Sequence, residues 1–148
     1  MLTVLIVEDD LMIADILEEV LIDDGFAVSG ICRTLTTALT SAACRPPDLA
    51  VVDVLLADGS FGTDVAAELV ARYNTGILYT TAIDDALTGA IGQAALRKPF
   101  RIRDIRQALT IVNDLRMLRP IPEKLPDQMF LLAAMPEDAA TLPRPEIY

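Results

Sequence analysis

Residues 49–54 read LAVVDV, an apolar run that carries one acid near its end. Successive side chains of a strand point to opposite faces, so a run apolar at every position leaves no face for water. Such strands lie inside sheets covered on both sides, and those sheets are characteristically parallel. Asp53 is the anomaly in this run. A buried carboxylate without a partner is costly, so its presence at the strand's acidic end asks for a cation or a hydrogen-bonding role.

The flanking sequence repeats the same theme. Upstream, residues 2–7 (LTVLIV) form a second apolar, β-rich run that stops at Glu8-Asp9-Asp10. Ile13, Ile16, Leu17, Val20 and Leu21 recur at helical spacing, and Asp23-Asp24-Gly25 ends that helix. Residues 26–31 read as a strand and 36–43 as a helix stopped by Pro46-Pro47. Downstream, Asp58-Gly59 and Gly62 make a loop, 63–73 a helix, and 77–80 a fourth strand. A weak helix over 84–91 contains Gly89, a short strand follows at 94–97, and 102–118 is a strongly amphipathic last helix. Strand and helix therefore alternate five times, which predicts an α/β sandwich with a doubly wound parallel sheet in the order 2-1-3-4-5. Its switch point lies between strands 1 and 3, and ligands bind there, beyond the carboxyl ends of the strands.

Composition narrows the chemistry. The 148 residues carry a formal net charge of −10, which disfavours general binding to nucleic acid. There is no histidine, and Cys32 and Cys44 stand in no metal-ligand spacing, so zinc sites and histidine catalysis are poorly supported. The first basic residue is Arg33 and no apolar run approaches the ~20 residues of a membrane span, so a cytoplasmic protein with no membrane partner is expected.

The expected fold brings the polar strand ends into one crevice: Glu8 and Asp9 after strand 1, Asp53 on strand 3, Thr81 on strand 4, Lys98-Pro99 after strand 5. Acids that follow a strand often do no more than favour the next helix dipole. Three carboxylates converging on one point, however, call for a hard divalent ion with oxygen ligands, Mg²⁺ above all. With Lys98 and the Thr81 hydroxyl as partners for phosphoryl oxygens, the set supplies phosphoryl transfer onto an aspartate by positioning and charge neutralisation.

On VLIVEDD (4–10), VVDVLLADG (51–59), LYTTA (78–82) and LRKPF (96–100), the chain resembles the receiver domain of two-component response regulators. The resemblance runs from residue 2 to about 119 and implies a flavodoxin-like (βα)5 fold for 1–119. It implies that Asp53 is the phosphoacceptor and Asp9 a direct Mg²⁺ ligand. Glu8 would hold the ion through water, and the backbone carbonyl of Leu55 would complete the set. Thr81 would be the switch hydroxyl and Lys98 the phosphoryl-binding lysine. Ala82 would leave room above the site, and Pro99 would follow a cis peptide bond. Leu55 and Ile83 occupy the two positions that help place the hydrolytic water in receivers, and both are apolar. The implied partners are a sensor histidine kinase or histidine phosphotransfer protein and a downstream target protein. The implied role is signalling rather than enzyme catalysis, beyond the chain's own phosphorylation and slow dephosphorylation.

The chain also departs from that pattern. The position three before the lysine, often aromatic in receivers, is Ala95, and the position four after the phosphoacceptor, often proline, is Ala57. Residues 120–148 hold six of the nine prolines and are expected to form an extension with no separate output domain, 120–126 running as an extended strap. The apolar cluster 129–135 (MFLLAAM) is expected to dock on the face made by helix 4, strand 5 and helix 5. Docking there would regulate partner access or exchange between the protomers of a homodimer. Pro136, Pro143 and Pro145 are expected to return the chain to an extended course. Two other readings compete: a haloacid-dehalogenase-like phosphatase, and a degenerate receiver serving as a constitutive binding module. The first needs a DxD nucleophile after strand 1, where this chain has Glu8-Asp9-Asp10.

Overall fold

The computed structural model describes residues 1–132. Five strands run parallel: β1 (Thr3–Val7), β2 (Ala27–Cys32), β3 (Leu49–Asp53), β4 (Gly76–Thr81) and β5 (Ala94–Arg97). They lie in the order 2-1-3-4-5, and β6 (Met129–Leu131) adds to the outer edge of β5 in the antiparallel sense. Four α-helices cover the sheet: α1 (Leu11–Asp23), α2 (Leu35–Cys44), α3 (Gly62–Tyr73) and α4 (Ile105–Arg116).

The apolar runs divide between two cores. Leu5, Val7, Ala50, Val52, Ile77 and Tyr79 point to the side of α2 and α3, while Val4, Ile6, Leu49, Val51 and Leu78 point to the side of α1 and α4. β3 and β4 are buried at every position, the expected result for central strands with both faces covered. Each fully buried Leu, Ile or Val contributes about 1.5–3 kcal/mol over an exposed one.

Caps set the helix starts. The Asp10 carboxylate accepts from the Met12 and Ile13 amides at 3.0 and 3.3 Å, satisfying two otherwise orphaned donors. Thr34 and Thr37 form a reciprocal capping box on α2. α3 begins without a side-chain cap, on Gly62. A Cβ built on Gly62 would lie 2.0 Å from the Asp53 carbonyl oxygen, so only glycine lets the α3 terminus press against the end of β3.

Three expectations need correcting. The helix expected over 84–91 is only a 3-10 turn at Asp84–Leu87, because Gly89 and Gly92 adopt positive φ (74° and 149°), which a helix cannot continue through. The last helix opens as a separate 3-10 turn, Ile102–Asp104, and ends at Arg116. The described part of the apolar cluster does dock at strand 5, as expected, but in a different manner: Met129–Leu131 pairs with the edge of β5 as a strand instead of lying across a face, so its backbone donors and acceptors are used as well as its side chains. Met129 and Leu132 are buried there, on opposite faces of the sheet. The prolines at 120, 122 and 126 lie in a stretch with no helix or strand, as expected. The expectations for 133–135 and for Pro136, Pro143 and Pro145 lie outside the described residues. Among the described residues no helix is long and apolar enough to cross a membrane.

Candidate functional site

The register of the sheet assembles the site. Val7 pairs with Val52, so Glu8 and Asp9 emerge beside Asp53; Asp53 pairs with Thr80, and Thr81 pairs with Arg97, next to Lys98. Four polar strand ends thus form a row across the switch point between β1 and β3. Asp9, Asp53, Thr81 and Lys98 line one open cleft of about 420 Å³, with Leu55, Ala82 and Ile83 in its walls.

One carboxylate oxygen from each of Glu8, Asp9 and Asp53 lies within 4.8 Å of the others. Glu8 and Asp53 are buried, and Lys98 Nζ donates to Asp53 Oδ2 at 3.2 Å. Burial pushes the Glu8 carboxyl up to about 8, reinforced by hydrogen bonding and like charge from Asp53; the Asp10 amide and Lys98 act in the opposite direction. All the donors are oxygens, at a spacing suited to a hard divalent ion.

The other expected residues fall as follows. The buried Thr81 hydroxyl donates to the Ile83 carbonyl at 2.8 Å and accepts from the Ile83 amide at 3.0 Å, so it is turned toward its own loop rather than toward Asp53. Leu55 and Ile83 are 58% and 60% exposed, apolar side chains lining the same cleft as Asp53. Lys98-Pro99 is a cis peptide, and Pro99 lines a neighbouring apolar groove with Ile13, Ile16, Phe100 and Ile102.

Two features escape a reading of the sequence. Phe61, half exposed, lines the cleft and forms a backbone bridge with Leu55, closing the loop after β3. Its neighbour Gly62 donates to the Val54 carbonyl at 2.7 Å, bringing α3 close against the backbone of Asp53. The DGSFG spelling of 58–62 marks a turn, but which glycine makes the close approach follows only from the packing.

Comparison with known proteins agrees with this geometry. The family model described as the response regulator receiver domain matches residues 4–110. The chain is 32% identical over 111 residues to the phyllosphere-induced regulator PhyR of Methylorubrum extorquens, covering 72% of this chain and 42% of that protein. It is 30% identical over 113 residues to the transcriptional regulatory protein PdtaR of Mycobacterium tuberculosis, covering 73% and 55%. The chain thus spans about half the length of these curated relatives. Among solved structures, the signal receiver domain of a modulated diguanylate cyclase from Desulfovibrio desulfuricans superposes with a TM-score of 0.70 at 26% identity, over 80% of this chain and 98% of that one. The doubly wound sheet, the acidic crevice at its switch point and these matches together establish that the chain belongs to the response regulator receiver family, whose members are signalling modules.

Proposed function

We propose that the chain accepts a phosphoryl group on Asp53 from a phosphohistidine of a partner kinase or phosphotransfer protein, and signals by protein contact or onward phosphorelay. The observation that carries this reading is the placement of the buried Asp53 carboxylate among Glu8, Asp9 and Lys98, on the wall of an open cleft. The 148 residues contain no histidine, so the phosphohistidine donor lies outside them.

The cluster fits Mg²⁺, which Glu8, Asp9, Asp53 and the Leu55 carbonyl would hold. When bound, the ion supplies the positive charge that lets a carboxylate approach a phosphoryl group. An Asp53 carboxylate oxygen attacks phosphorus, the P–N bond breaks, and the imidazole nitrogen of the donor keeps the electron pair. Lys98 Nζ, already at Asp53, takes a phosphoryl oxygen as its new partner. The Thr81 hydroxyl can donate to another only by giving up the Ile83 carbonyl. The apolar groove of Ile13, Ile16, Phe100 and Ile102 adjoins Glu8 and Lys98 and offers the donor protein a seat beside the acids. In this reading residues 1–119 form the receiver unit and the Pro-rich extension begins at 120.

The test uses acetyl phosphate and Mg²⁺ with intact-mass detection. One hydroxylamine-labile phosphoryl group is expected on the native protein and none on Asp53→Asn. Equal labelling of Asp53→Asn would sink the assignment, and a native protein that never labels would point to a constitutive binding module instead.

A further inference from the structure

The residue opposite Ala95 on the added strand is Phe130. Ala95 is fully buried with a side chain of one carbon, and the Phe130 ring packs against the cluster that holds Ala95, Tyr79, Leu87 and Ala90. The bulk that β5 lacks at this position thus comes from the C-terminal strand. Two backbone bonds fix β6 at its ends: the Arg97 amide donates to the Gln128 carbonyl at 2.9 Å and the Leu132 amide to the Gln93 carbonyl at 3.0 Å. The Arg97 guanidinium also lies over the Phe130 ring, 4.3 Å from its centroid.

Both groups that would touch a phosphoryl group on Asp53 are tied to this strand. Lys98 follows Arg97 directly, and its own amide donates to the Thr81 carbonyl at 2.8 Å. Thr81 holds Ile83, which leads into the Asp84–Leu87 turn, and Leu87 belongs to the cluster on which Phe130 rests. If Thr81 exchanged Ile83 for a phosphoryl oxygen, the turn that carries Leu87 would lose that tether, and a shift of Lys98 to a new partner would act on Arg97, its neighbour in the chain. The two disturbances meet at β6. That strand is three residues long and pairs on one side only, with Leu131 41% exposed, so it belongs to the parts of a structure that open at low cost.

We infer that β6 is a releasable plug on the edge of β5: phosphorylation of Asp53 loosens Phe130 from its seat opposite Ala95 and bares that edge for the next protein in the signal. The inference rests on Asp53 being the phosphoacceptor. Its consequence is that signal output is gated by the chain's own strand rather than by an aromatic residue within β5.

Amide exchange followed by mass spectrometry, with and without Mg²⁺ and beryllofluoride as the phosphoryl mimic, reads this directly. Peptides spanning residues 128–132 should exchange at least tenfold faster in the loaded protein, while those of β1 and β3 should not. In Phe130→Ala the same peptides should exchange fast before loading and gain nothing further. Phosphoryl uptake from acetyl phosphate is measured on the same preparations. Normal uptake with unchanged exchange at 128–132, or a Phe130→Ala protein that still protects β6, overturns the plug and leaves the phosphoacceptor standing. Absence of uptake overturns both.

Discussion

The two connections that frame the cleft are built in opposite ways. After β3, residues 54–61 form a closed loop: Leu56 donates to Ser60, Gly59 to Leu56 and Gly62 to Val54, and Leu55 bridges Phe61 before a full α-helix begins. After β4, residues 82–93 contain only a 3-10 turn and two glycines at positive φ. That segment is held by a few long-range bonds, among them Tyr79 to the Ile91 carbonyl and Leu132 to Gln93. Asp53, the proposed nucleophile, therefore sits on the braced side of the site and Thr81, the proposed switch hydroxyl, on the adjustable side. A phosphoacceptor needs a fixed position to react, and a responding hydroxyl needs somewhere to move.

Glycine substitutions test the contrast most severely. Gly62→Ala places a methyl group where the Asp53 carbonyl stands, so it should cost about 3 kcal/mol by overpacking and sharply slow labelling by acetyl phosphate. Gly89→Ala meets no neighbouring atom and only strains a positive φ, so about 1 kcal/mol is expected, with labelling retained. Thermal melts and labelling rates of the two variants decide; equal effects would dissolve the distinction between the two sides.

Glu8, after β1 and next to the braced Asp53, should carry the pH signature of the site. Burial pushes the Glu8 carboxyl up from its ordinary 4.5 to about 8, so the folded state binds the extra proton across that window. Stability of the metal-free protein should therefore fall as pH rises from about 5 to 8, and Mg²⁺ affinity should rise over the same range as the proton is displaced. Melting curves of native protein and Glu8→Gln with pH, with and without Mg²⁺, check this, the variant losing most of the slope.

The mildest intervention touches both walls at once. Leu55 and Ile83 cannot orient a water by hydrogen bonding, and both shield the nucleophile. With Asp53 as the phosphoacceptor, loss of the acyl phosphate should be slow, and Leu55→Asn with Ile83→Glu should speed it roughly tenfold, about 1.4 kcal/mol in the barrier. Both side chains are exposed, so stability should move by less than about 0.5 kcal/mol. Decay no faster in the double variant would place control of the lifetime elsewhere.

How far the sequence reveals each side follows from the same contrast. LTVLIV and LAVVDV are buried on both faces, so composition alone marks them as central strands, and the acids that end them stand out against apolar neighbours. The 84–91 segment misleads because apolar spacing suggests a helix, while the positive φ of Gly89 prevents one and Gly92 just beyond is set by its packing on Tyr79 and Ile77. MFLL at 129–132 announces burial, but a run that short is read as a strand only once β5 offers it an open edge. Phe61 and Gly62 look like ordinary loop spelling until the α3 terminus is seen against Asp53.

Tyr79 adds an experimental convenience. Its hydroxyl donates to the Ile91 carbonyl at 2.6 Å from a fully buried ring, and the chain has no tryptophan to drain tyrosine emission by energy transfer. A phenol bound to a carbonyl emits differently from one released, so the segment after β4 carries its own optical gauge. A change in that segment on loading with beryllofluoride should be readable in a cuvette without a dye, with Tyr79→Phe giving the background from Tyr73 and Tyr148.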